Sequence, residues 1–498
     1  MSHAHSFVVP HAMCGRSRRG FLADCGLGFA GLAMGAMLQR DGIAQGNEAD
    51  EWAPPTGQPH FAPKAKSVIW FFMLGGVSHM ESFDPKPELT KYAGKTISES
   101  PYADTVVKSP YYRRNVRDFA GTPRELLSTI YPLQIGFSKK GQSGVEVADW
   151  WPHIGNHVDD LAIVRSVWCT DNDHAAQYEF NTGHHIFDGY HPSIGSWVHW
   201  GLGSLNDNLP SFVVLGDGPD VCCGGKGAHS ASYLGPAHAG VQLRVDPANP
   251  LSFASPGTDV FQEEQIAEFE LLRRLNQTAE QANPSDAALR ARIQSYELAF
   301  RMQASVPSVM KLESETEAMQ KQYGLDNPVT QPFGRLCLSA RRLVERGVRF
   351  VQVYHGNGGG GGWDAHTDLK GNHGKLAPQV DQPIGALLQD LKQSGLMDET
   401  IVVFASEFGR TPGSERSTGR DHHPYGFSVW MAGGGLKRGV VHGATDELGF
   451  HAVESRHYVT DIHATVLRQL GLDHSRMEVP GRKRLDIKIG KPIEEIVA

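Results

Sequence analysis

The sequence predicts an α/β fold with a mostly parallel central sheet and helices on both faces. Three observations carry this expectation. Apolar runs of strand length alternate with segments whose apolar residues recur at helical spacing. The runs are continuous rather than alternating, as strands covered on both faces read. Glycine follows the helical segments at Gly347, Gly395 and Gly471, where a left-handed closing residue is favoured.

Ser67–Leu74 (SVIWFFML) reads as the first buried strand, ended by Gly75-Gly76. Leu161–Val167 and Phe212–Leu215 read as the second and third. Residues 261–323 are charged and rich in Ala, Glu, Gln and Leu, with Ile266, Phe269, Leu272 and Leu275 at helical spacing. They predict two or more helices broken near Asn283-Pro284. This helical insertion, about 258–328, is expected to cover one side of the sheet or to cap the site. A helix is expected over Phe333–Arg346, a strand over Val348–Tyr354 and a helix over Val380–Ser394. Strands at Thr400–Ala405 and Phe427–Met431 and a helix at His457–Leu470 complete the alternation. No internal repeat is visible.

Upstream of the first strand, Ser17-Arg18-Arg19-Gly20-Phe21-Leu22 precedes an apolar stretch from Gly26 to Leu38. Paired arginines before a weakly hydrophobic segment read as a twin-arginine export signal. The expected organisation is 1–45 as signal and start of a linker, 46–64 as linker, and 65–498 as one folded domain. The apolar stretch is short for a membrane span, and no second one is long enough. The expected partner is the twin-arginine export machinery, and the expected location is the periplasm or the exterior, with no stable transmembrane span after export. An uncleaved anchor stays open.

Composition narrows the function classes. The formal net charge is −8 and there is no basic stripe, which argues against a nucleic-acid partner. Beyond the signal region the cysteines are Cys169, Cys222, Cys223 and Cys337, with no Cys-x-x-Cys pair. One disulfide is possible, but neither a disulfide framework nor a thiolate zinc site is expected.

Five polar clusters punctuate the chain: Gly75–Asp84, Thr170–His174, Trp363–His366, Ser406–Arg410 and Gly419–Pro424. Three of them directly follow a predicted strand. Ligands bind at the carboxyl ends of strands in open α/β sheets, and gathered His and carboxylate groups suit a divalent metal. His79 and Asp84 are candidate ligands from the turn after the first strand, with Glu81 ranked below them. Asp364 and His366, two residues apart, face one side of an extended stretch. Glu407 and His422 complete the candidate ligands, and Zn, Ca, Mg or Mn are the candidate ions. Each cluster has a plainer reading too: Asp84 as a turn cap, the Gly358–Gly362 region as a solvated loop, Glu407–Arg410 as a structural ion pair.

The stretch Val380 to Arg410 resembles the helix, strand and loop that deliver a metal-binding Asp-His pair in sulfatases and alkaline phosphatases. Tyr458 to Leu472 is similar to their near-C-terminal helix. Thr170 to Gly183 (TDNDHAAQYEFNTG) resembles the nucleophile loop of nucleotide pyrophosphatases. As a whole the chain resembles the bacterial family numbered 1501 among domains of unknown function, often labelled sulfatase-like. That rests on Gly75–Pro87, Asp171–His174, Trp363–His366, Glu407–Pro412 and Asp421–Pro424.

The resemblance implies an alkaline-phosphatase/sulfatase-like fold and a metal-dependent hydrolase of small or polymeric anionic esters, phosphate or sulfate. It implies Thr170 as nucleophile, with His174 and Arg410 as the other catalytic candidates, Arg410 clamping an ester oxygen. Thr170 also reads as a helix cap. Asp173 replaces the Asn of the nucleophile loop, Glu407 and Phe408 replace the Asp and His of the metal-binding Asp-His pair, and Gly75-Gly76 stand where a first ligand Asp is expected. Cys169 lacks the residues a formylglycine sulfatase needs at the second and fourth positions after it, where Asp171 and Asp173 stand, so it reads as a buried thiol. Two alternatives stay open: a metal-hydroxide hydrolase without a Thr nucleophile, and a non-catalytic envelope binding protein of the same fold.

Overall fold

In a computed structural model, the structure describes residues 57–107, 129–246, 248, 262–283, 287–477, 479 and 490–498. The twin-arginine segment, the linker up to residue 56 and Pro284 lie outside the described residues. One compact unit spans Pro54–Ala498; the other, Met1–Ala53, lies outside them.

Among the described residues the chain forms fifteen strands. They are β1 (Ser67–Met73), β2 (Phe137–Lys140), β3 (Val145–Ala148), β4 (Leu161–Trp168), β5 (Phe212–Leu215), β6 (Val241–Leu243), β7 (Phe350–His355) and β8 (Thr400–Ser406). Then come β9 (Gly409–Glu415), β10 (Gly419–His423), β11 (Phe427–Ala432), β12 (Val440–His442), β13 (Ala444–Thr445), β14 (Ala452–Glu454) and β15 (His457–Tyr458). The main sheet runs β12-β4-β11-β8-β1-β7-β5-β6, with β15 also paired to β4. β11 runs antiparallel to both its neighbours, and the other pairings in this sheet are parallel. The mostly parallel α/β sheet expected from the sequence is therefore present.

β1 is buried along its whole length. Ile69, Phe71 and Met73 enter one core with the helices Gln331–Glu345 and Leu369–Gln393. On the opposite face Trp70 meets Phe180 and His463 at ring separations of 5.7 and 5.9 Å, and Phe72 meets Phe180 at 5.4 Å. Those partners lie on the helices Ala176–Thr182 and Val459–Gln469. Two buried faces explain the unbroken apolar run. The insertion forms the helices Gln262–Ala282 and Ala287–Met310, and Met302, Val306, Val309 and Met310 of the second join the Ile69 core.

Three departures from expectation have physical causes. The helix Leu369–Gln393 begins well before Val380, despite Gly371, Gly374 and Pro378. Its buried face (Leu369, His373, Ala377, Val380, Ile384) overrides weak propensity, and the Asp368 carboxylate caps it at the Gly371 N–H. His457 and Tyr458 pair with Val167 and Trp168 as a strand before the last helix starts. The polar stretch 409–423 forms the β9–β10 hairpin, which interrupts the path from β8 to β11. Its alternation is hidden because both faces are buried beneath polar partners. The pairing shifts between Arg420 and His422, a bulge that re-aims side chains.

The carboxyl ends of β1, β4, β7 and β8 open on one rim of the sheet. The segments that follow them and the β9–β10 hairpin meet there.

Candidate metal centre

The loop after β1 must turn sharply beneath the loop after β7. Gly75 and Gly76 take φ of +115° and +82°, and a Cβ on Gly75 would come within 2.5 Å of the Asp364 N. Their backbone supplies the first anchors. Gly75 N–H donates to Glu407 Oε1 at 2.8 Å, and Gly76 N–H to Ser406 Oγ at 3.1 Å. The two carbonyls accept from Arg410, through Nη2 for Gly75 and through Nε at 2.8 Å for Gly76. The loop after β1 is thus braced by its own backbone against Glu407, Ser406 and Arg410.

Arg410 is fully buried, and its Nη2 also donates to Asp364 Oδ1 at 2.9 Å. The expected clamp on an ester oxygen does not fit this placement, because carbonyls and Asp364 hold the guanidinium away from solvent. Arg410 positions Asp364.

Asp364 is the centre of the cluster. Its Oδ1 lies 3.0 Å from His422 Nε2 and 3.1 Å from His366 Nε2, and its Oδ2 lies 3.3 Å from His174 Nε2. Burial opposes its charge, but these partners hold its carboxyl far below the usual carboxylate range. His422 Nδ1 meets the Asn172 carbonyl at 2.9 Å. His366 Nδ1 pairs with Glu415, and Asp421 lies 3.6 Å from the same atom. Partners of this kind fix a ring's tautomer. With both rings neutral, both Nδ1 hydrogens are then engaged, and the two Nε2 lone pairs face each other across 3.0 Å beside Asp364 Oδ1. Burial lowers the pKa of His366, but Asp364 and Glu415 outweigh it and raise it, so without an ion a proton on its Nε2 satisfies Asp364. Three acceptors converging on one spot repel one another unless a proton or a cation lies between them. Asp364, His366 and His422 form one of the groups able to hold an ion; Asp173 with His174 and His422 forms an adjoining one. The cluster opens to solvent at Asp364 and His366, each about one-fifth exposed.

His174 joins two carboxylates, with Nδ1 3.0 Å from Glu407 Oε1 and Nε2 near Asp364. Burial lowers its pKa, but these two hydrogen bonds outweigh it and raise it to about 9. Glu407 is wholly buried, and its Oε1 also accepts from Gln177 Nε2 at 3.0 Å. Gly75, Gln177 and His174 all meet its Oε1, while its Oε2 accepts from Ser406 Oγ at 3.1 Å, so it sits behind the cluster and braces His174.

The remaining predicted residues lie elsewhere. His79 is buried, with Nε2 2.8 Å from the Gly449 carbonyl and Nδ1 accepting from the Arg410 N–H at 3.4 Å. Asp84 is bound by Lys86 at 3.0 Å and by the Thr445 hydroxyl. Neither faces Asp364, so the ligand expectation for both is corrected to a bracing role. Glu81 forms a buried ion pair with Arg420 at 2.6 Å. Thr170 Oγ1 donates to Glu179 Oε1 at 2.6 Å, and the N–H groups of Thr170 and Asp171 point at the same carboxylate. The Tyr458 hydroxyl also donates to it. Cys169 is a buried thiol whose pKa is raised by burial.

Glu179, Gln177, Glu415 and Tyr458 were not anticipated. Gln177 and Glu179 are polar residues inside the short helix Ala176–Thr182, which the structure buries along its whole length. Glu415 offered no signal without the hairpin register.

A family model described as "Protein of unknown function (DUF1501)" matches residues 65–497. No curated protein matches the sequence. Among solved structures, the chain is similar to the PsFucS1 sulfatase from Pseudoalteromonas sp. (13% identity, TM-score 0.32), covering 82% of this chain and 68% of that one. It is similar to a phosphonate monoester hydrolase from Silicibacter pomeroyi (11% identity, TM-score 0.34), covering 69% and 71%. It is also similar to the alkaline phosphatase of the Antarctic bacterium TAB5 (11% identity, TM-score 0.30), covering 82% and 99%. Likeness at this level assigns no chemistry to the chain.

Proposed function

Because the chain belongs to the DUF1501 family, proteins of unknown function, its activity must be read from its own site, and we propose that it is an exported metal-dependent hydrolase of phosphate or sulfate esters. One observation carries this reading: Asp364 Oδ1, His366 Nε2 and His422 Nε2 converge with both Nδ1 atoms already engaged. Two imidazoles and one carboxylate fit a divalent ion, and favour zinc over magnesium or calcium. Such an ion, when bound, polarises an ester oxygen and lowers the pKa of a hydroxyl beside it. Glu415 and Asn172 orient the two imidazoles, and Arg410 and His174 hold Asp364.

The loop Thr170–His174 runs past this group, since the Asn172 carbonyl touches His422. In the leading scheme Thr170 Oγ attacks phosphorus or sulfur and the ester alkoxide leaves. The Thr170 proton passes to Glu179 Oε1, 2.6 Å away. Water then releases the group from Thr170. A second reading keeps Thr170 as a brace and uses water as the attacking group. The dense bonding of Thr170 and Asp171 to Glu179 favours it.

Export is supported by Arg18-Arg19 and the apolar stretch after them. Among the described residues, no helix is long and apolar enough to cross a membrane. Conservative replacement of both arginines by Lys is expected to leave the protein in the cytoplasm.

The testing experiment assays purified full-length protein, stripped of metal and resupplied with zinc, manganese, magnesium or calcium. Aryl phosphate monoesters and diesters and aryl sulfates are the substrates. Turnover that returns with one metal supports the reading; silence on all of them, with every metal, sinks it.

A further inference from the structure

The open edge of the sheet carries a second set of metal-type donors that shares no residue with the Asp364 cluster. His442 ends β12 opposite Val164 of β4, and His457 begins β15 opposite Val167. Their Nε2 atoms lie 2.9 Å apart. His457 Nδ1 lies 2.9 Å from Asp461 Oδ2, one helical turn on, which places its proton there and leaves Nε2 as a lone pair. Glu495 Oε2 lies 3.8 Å from His442 Nε2. The imidazoles are largely buried, at 13% and 14% exposed, and Glu495 is open to solvent and free to turn inward. Gly443 fixes the first imidazole: φ is +69°, and a Cβ there would overlap Ser166 Oγ, so the chain presses against β4 directly after His442.

Glu495 arrives on the C-terminal segment. That segment is already tied to the sheet edge by Lys437 N–H to the Ile496 carbonyl at 2.8 Å, and by Ile493 N–H to Thr465 Oγ1 at 2.9 Å. Asp461 joins in through Oδ1, which accepts from the Lys491 N–H at 2.8 Å. One carboxylate therefore orients His457 and holds the segment that brings Glu495. A bare hydrogen bond between neutral imidazoles requires neither acid, whereas an ion uses both.

We propose that His442, His457 and Glu495 bind a divalent ion of the zinc class, with Asp461 orienting His457 and water in the open position, and that the ion clips residues 490–498 to the sheet edge. The proposal does not depend on the hydrolase reading.

The test uses full-length protein carrying His366→Ala and His422→Ala, which take a donor from every group around Asp364 able to hold an ion. Calorimetric titration of the metal-free protein with zinc chloride is expected to show one equivalent bound, with a rise in melting temperature. Adding His442→Ala and His457→Ala is expected to abolish both. If circular dichroism shows that protein misfolded, Glu495→Ala on the exposed residue is expected to weaken zinc at least about tenfold, in line with losses seen for groups around metal sites. No zinc uptake by the His366→Ala, His422→Ala protein overturns the proposal. So does uptake unchanged by Glu495→Ala or by the added histidine substitutions.

Discussion

His366 Nε2 and His422 Nε2 stand 3.0 Å apart, each ring's Nδ1 being held by a separate oxygen acceptor. Glu415 holds the more exposed of the two rings. Glu415→Gln keeps the shape and removes the charge that makes His366 a strong donor. It is expected to weaken metal affinity about 10- to 100-fold, as measured by competition with a coloured chelator. Unchanged affinity would place His366 outside the ligand set.

Thr170 and Glu179 separate the two hydrolytic schemes. With Thr170 as nucleophile, Thr170→Ala abolishes turnover, Thr170→Ser retains a measurable part, and Glu179→Gln lowers kcat by about 10²–10⁴ if it takes the proton. With water attacking, Thr170→Ala leaves kcat within a few-fold. Steady-state kinetics on one ester decide between them.

Arg420 and Glu81 are both fully buried and joined at 2.6 Å, linking the loop after β1 to the hairpin. Removing one partner of such a pair leaves an uncompensated charge. Arg420→Ala is expected to lower unfolding free energy by about 3–5 kcal/mol, read from urea denaturation. A loss under 1 kcal/mol would mean that the pair is dispensable.

Buried histidines set the acid limit of stability. Burial lowers the pKa of His79, His199, His229, His355 and His463 to about 4 in each case. Between about pH 6.5 and 4 the unfolded chain binds protons that the folded chain refuses, so stability falls as pH drops through this window. His463 packs on Trp70 and bonds the Phe180 carbonyl at 2.7 Å. His463→Gln is expected to flatten the slope of unfolding free energy against pH by roughly one proton in that window. An unchanged slope would mean that His463 titrates normally in the fold.

Much of the sheet was legible because its strands are covered on both faces, so β1, β4, β5 and β8 stand out as apolar runs. The β9–β10 hairpin was hidden: Arg410, Arg420 and Asp421 are buried by pairing, which an apolar pattern does not register. Asp364, His366 and His422 were legible as residue types that bind metals. The roles of His79, Asp84 and Arg410 were not, because each is decided by a partner more than 300 positions away in sequence or by a backbone carbonyl (Gly449, Thr445, Gly76). Glu179 and Glu415 became meaningful only with the register that sets them against Thr170 and His366.

The central claim is that Asp364, His366 and His422 hold one divalent ion. Anomalous diffraction at the zinc edge, from crystals of the full-length protein grown with zinc, tests it most directly. A peak is expected about 2.0–2.2 Å from His366 Nε2, His422 Nε2 and an Asp364 oxygen. A well-ordered site with no peak there would contradict it.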